Sequence, residues 1–79
     1  MAVKKSFSNE IVDADYFLEM PGTAKFLYFY LGMHTDSKGF TNAPKNLTKI
    51  AGCNPGDLEL LIEKGYVKPT EDGVRVLLK

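Results

Sequence analysis

Apolar residues recur at helical spacing through most of this chain and change to a two-residue period near its end. The clearest helical stretch is residues 55–64, where Leu58, Leu61 and Ile62 fall on one face at i, i+3 and i+4, and Asp57, Glu59 and Glu63 are expected outside. Asn54 is a good N-cap, and Pro55 suits the first helical position because its missing N–H would have had no partner there. Gly65 fits the left-handed residue that stops a helix. Directly beyond it, residues 66–68 and 74–78 are rich in β-branched and aromatic side chains, with Asp72-Gly73 between them as a hairpin signal.

Upstream, Asp13 or Asp15 is expected to cap a short helix reaching Met20, with Tyr16, Phe17 and Met20 near one face. Pro21-Gly22 breaks it. A second helix then runs to about Met33 with two apolar stripes: Ala24, Leu27, Tyr28 and Leu31 form one, and Phe26, Phe29, Tyr30 and Met33 form the other. A helix apolar on two sides needs two coverings. Either the N-terminal region covers the second stripe, or that stripe is a self-association surface. A polar loop at residues 34–39 leads to an extended Phe40-Thr41, with Phe40 expected to point into the core. Asn42 is the expected cap for a helix reaching about Ala51 that buries Leu47, Ile50 and Ala51.

The order helix, helix, strand, helix, helix, strand, strand predicts an α+β winged helix (winged helix-turn-helix) with an additional N-terminal helix and a short β-hairpin wing. Residues 1–9, which carry Lys4 and Lys5 and only Phe7 as an aromatic side chain, read as a flexible arm, and residues 10–79 as the domain. Seventy-nine residues, 44% of them hydrophobic, suffice for one modest core. The single cysteine, Cys53, cannot form an internal disulfide, and no apolar run of membrane-spanning length occurs, so a cytoplasmic protein without a membrane partner is expected.

Formal net charge is +0 at pH 7, so any basic surface must be local. Two adjacent helices joined by a glycine-containing turn are the unit that presents a helix to the major groove. Here the second of them exposes carboxylates, which repel phosphates. Positive charge lies on Lys45 and Lys49, one helical turn apart, on Lys64, and on Lys68 and Arg75 in the hairpin. If these converge they grip phosphates without reading sequence; the alternative is ordinary solvated lysines. Lys4 and Lys5 could extend the surface as an arm.

Catalytic chemistry finds no support in the residue pattern. His34, the only histidine, sits beside Thr35 and Asp36 without the further ligands a metal site requires. Cys53 precedes a helix start with no histidine adjacent in sequence. No glycine-rich phosphate loop is present. Neither enzyme activity, nor a metal, nor a cofactor is expected.

The segments IVDADYFLEMP and LYFYLGMHTDSKGFTNAPK, with the short helix leading into the EDGVRVL hairpin, together resemble the N-terminal domain of phage replisome organisers, the DnaD-like replication initiation proteins. The resemblance spans nearly residues 7–78. It implies a phage-encoded winged-helix module of a longer initiator that binds duplex DNA at a phage origin, or that helps assemble the initiator as a homo-oligomer or with other replication proteins. The expected DNA contacts are Lys45, Lys49, Asn54, Lys64, Lys68 and Arg75. Phe26, Phe29, Tyr30 and Met33 are the expected self-association stripe.

Overall fold

A computed structural model of the chain describes residues 7–36 and 38–78. Two single-turn helices, α1 (Asn9–Val12) and α2 (Asp15–Leu18), precede the long α3 (Gly22–Met33). They are followed by β1 (Phe40–Thr41), α4 (Pro44–Ile50), α5 (Pro55–Glu63), β2 (Val67–Pro69) and β3 (Val74–Val76). The strands form one antiparallel sheet in the order β1-β3-β2. The molecule is thus a small α+β domain with a three-stranded antiparallel sheet.

The core gathers one face of each element. Phe17 and Met20, then Ala24, Leu27, Tyr28 and Leu31 of α3, meet Leu58 and Leu61 of α5, Tyr66 and Val67, and the inner sheet residues Val74 and Val76. The first apolar stripe of α3 is therefore its buried face. Phe17, Tyr28 and Tyr66 pack edge to face, with ring centroids 5.2 to 5.9 Å apart, the arrangement favoured by the aromatic quadrupole. Gly65 terminates the α5 segment with φ +86, as its position predicts.

Several expectations need correction. The single helix from Asp13 or Asp15 to Met20 is instead two turns with N-caps at Ser8 and Ala14, and Asp13 is the residue after the first. Residues 1–6 of the expected arm lie outside the described residues. Phe7 rests on Tyr28 and Phe29, and the Ser8 N–H donates to the Leu78 carbonyl at 3.2 Å.

Phe40 is half-buried on the outer side of the sheet, while Thr41 is buried opposite Val74. Strand alternation allows only one of two neighbours inside, and the pairing with β3 selects Thr41. Helix α4 is turned so that Thr48 is its buried residue, Leu47 and Ala51 are half-buried, and Ile50 is 70% exposed. The Thr48 hydroxyl donates to the Pro44 carbonyl at 2.7 Å, which satisfies it locally and lets it go inside.

The hairpin turn is centred on Glu71-Asp72, one residue earlier than Asp72-Gly73. Pro69 pairs with Val74, and the Thr70 N–H donates to the Gly73 carbonyl at 2.8 Å. Gly73 is needed for a different reason. A Cβ there would overlap the Thr41 carbonyl oxygen and lie 2.7 Å from Asn42 Cα, so only glycine lets the hairpin approach the end of β1 so closely.

Candidate nucleic-acid interface

Helix α5 begins at Asn54, whose own N–H is bound by the Asp57 carboxylate at 3.0 Å. The same carboxylate accepts the Thr23 hydroxyl at 2.9 Å. Asp57, expected outside, is only 8% exposed. A charge so placed is tolerable because both oxygens are engaged, and it ties the start of α5 to the start of α3. Cys53 adds to this junction, its thiol directed at the Thr23 carbonyl at 3.4 Å. Burial first, and then the negative charge of Asp57, push the Cys53 thiol above its ordinary pKa, the opposite of what a reactive thiolate needs. What α5 presents to solvent is Glu59 and Glu63, followed by Lys64.

The six expected DNA contacts are all exposed side chains, but they border different clefts. Lys45 and Lys49 of α4 line a cleft of about 420 Å³ between α4 and α5, shared with Glu59 over a floor that includes Leu58 and Ile62. Lys64 lines another, of about 220 Å³, with Tyr16, Glu19 and Met20. Asn54 stands at the head of α5.

Lys68 and Arg75 are brought together. They are direct cross-strand partners in the β2–β3 pairing and line a third cleft, of about 410 Å³, that also contains Lys38. Like charges directly opposed on a sheet cost on the order of a few tenths of a kcal/mol. Lys38 was missed at the sequence level because it lies in a polar loop. Strand parity gives no signal for it, since Lys38 stands in a turn and Gly39, between it and Phe40, has φ +81.

The second stripe of α3 divides. Phe29 is half-buried, its ring 5.1 Å from Phe7 and 5.9 Å from Phe17, and so leaves the expected self-association surface. Phe26 and Met33 remain 51% and 63% exposed, with Tyr30 half-buried between Phe26 and His34.

Among the described residues no group of three or more His, Cys, Asp or Glu side chains is arranged to hold a metal ion, and no helix is long and apolar enough to cross a membrane. Comparison with known proteins finds no matching family model, no matching curated protein and no matching solved structure.

Proposed function

We propose that this chain is a winged-helix module that binds duplex DNA, mainly through phosphates, in phage replication initiation. The observation that carries the reading is the sequence of elements. A core helix, α3, is followed by a short strand, a tightly joined helix pair α4–α5, and a hairpin whose second strand pairs with the first strand of the sheet. That succession presents one helix and one hairpin side by side, as groove-binding helix-turn-helix modules do. The Glu59 and Glu63 face of α5 disfavours base reading by that helix, which makes backbone contact the main source of affinity.

The test is a titration of the protein with origin-like and scrambled duplexes at low and moderate salt. Affinity that falls steeply with salt and differs little between the two sequences supports phosphate-dominated binding. Absence of binding at low salt overturns it.

A second reading, a protein-interaction or self-association module, is favoured by the exposure of Phe26 and Met33 on α3. On this reading the protein is a dimer by light scattering and Met33→Glu returns it to a monomer. A monomeric wild type rejects self-association through that stripe.

A further inference from the structure

Strand pairing dictates which side chains share the outer face of the sheet. Phe40, Arg75 and Lys68 occupy one row across β1, β3 and β2, while Thr41, Val74, Val76 and Val67 turn inward. Pairing continues beyond the assigned strands: the Val76 N–H donates to the Gly39 carbonyl at 2.7 Å and the Leu77 N–H to the Tyr66 carbonyl at 2.8 Å. Lys38 and the exposed Leu77 are thereby placed beside the same row. Together Lys38, Lys68, Arg75 and Leu77, with backbone at Gly39 and Gly65, form the concavity of about 410 Å³.

Its lining differs in kind from the other two clefts. Among the described residues three cations line it and no acidic side chain does, whereas Lys45 and Lys49 share their cleft with Glu59, and Lys64 shares its cleft with Glu19. The carboxylate in the adjoining turn, Asp36, accepts the backbone N–H groups of Lys38 and Phe40 at 2.8 and 3.0 Å. Three like charges around one concavity repel one another in the free protein, and a polyanion relieves that repulsion. The backbones of Lys68 and Arg75 stand one interstrand spacing apart, about 4.8 Å. Their long side chains can fan out to separate phosphates of one strand.

We infer that this outer sheet face, rather than the exposed side of α5 or the lysines of α4, is the principal seat of a nucleic-acid phosphodiester backbone. Lys38, Lys68 and Arg75 hold phosphates, and Phe40 and Leu77 supply apolar borders. The inference rests on the nucleic-acid reading above and assigns its main contacts. The shared chemistry is the phosphodiester chain, whether from a duplex or a single strand.

The test uses the full chain with two labelled probes of equal length, a random duplex and oligothymidine, over a salt series. Lys68→Gln/Arg75→Gln and Lys38→Gln are compared with Lys45→Gln/Lys49→Gln. The sheet pair is expected to lower affinity at least about tenfold at low salt and to flatten the slope of log affinity against log salt by about two, with Lys38→Gln removing about one more. The α4 pair is expected to change the slope by less than about one. Loss with one probe or with both supports the seat and identifies the strand form held there. Charge-preserving Lys68→Arg/Arg75→Lys should restore the slope, and thermal unfolding of each variant checks that folding is intact. Binding by the wild type that the α4 pair abolishes and the sheet pair spares overturns the seat but leaves the nucleic-acid reading standing. A wild type that binds neither probe overturns both.

Discussion

Tyr28 and Tyr66 lie in the same aromatic cluster, and their hydroxyls have opposite fates. The Tyr28 hydroxyl donates to the Leu77 carbonyl. Tyr66 is only 4% exposed, and its hydroxyl finds no hydrogen-bond partner among the described residues. An unpaired buried hydroxyl costs more than it returns, whereas a paired one contributes about 1 kcal/mol. Tyr66→Phe should therefore leave stability unchanged or raise it by up to about 1 kcal/mol, and Tyr28→Phe should lower it by about the same amount, measured by urea unfolding.

Burial, and secondarily the neighbouring Tyr66, push the Tyr28 hydroxyl up to about 12; burial, and then Tyr16, raise that of Tyr66. An unfolded tyrosine ionises near 10. The folded state thus holds these protons more tightly, so their contribution is complete below about pH 10 and is lost as pH climbs from there to about 12. Stability should fall by on the order of 2 kcal/mol over that window. Thermal midpoints followed from pH 9 upward, with tyrosinate absorbance recorded in parallel, would check it. A midpoint that is flat to pH 12 would contradict the burial argument.

Elements whose boundaries rest on local backbone chemistry were legible in the chain. Asn54, Pro55 and Gly65 delimit α5 because a cap, a fixed φ and a left-handed stop act within a few residues. The buried stripe of α3 was legible because five of its twelve residues go inside at helical spacing. The facing of α4 was not. With seven residues, its rotation is set by packing against neighbours, and a threonine able to satisfy its own hydroxyl displaced Ile50 from the inner side. Asp57 was misplaced for the same reason, since its partner Thr23 is 34 residues away. The hairpin tip slipped by one because Gly73 answers to contact with β1 rather than to turn geometry. Gly73→Ala should accordingly cost about 1–3 kcal/mol, as forced overpacking does, and should weaken the β1–β3 pairing. Hydrogen exchange at the Val76 amide, which is bound to Gly39, would report it. Unchanged protection would show that the hairpin can shift to make room.

At the level of the whole molecule, a radius of gyration of 11.6 Å matches the roughly 12 Å of a compact chain this long, and balanced total charge conceals an uneven distribution. Of the candidate contacts, the sequence placed Lys68 and Arg75 in one hairpin and so near each other, but their direct pairing needs the turn one residue earlier than Asp72-Gly73. It could not disclose that Lys45 and Lys49 border one cleft and Lys64 another, which depends on how helices pack. Since the total is neutral, electrostatic stability effects should be local. Lys68→Gln should raise the thermal midpoint slightly at low salt by removing a like-charge opposition, and the gain should vanish near 1 M salt, where the screening length is about 3 Å. A salt-independent change would point to packing instead.

The contact between Gly73 and the Thr41–Asn42 backbone fastens the base of the hairpin tip to the residues that lead into α4. The hairpin therefore cannot flap as a free paddle; it moves with the body of the domain. Extra length belongs at Glu71-Asp72, where both side chains are exposed and a longer tip would project without loosening its root, whereas even one methyl group on the next residue would pry the root open.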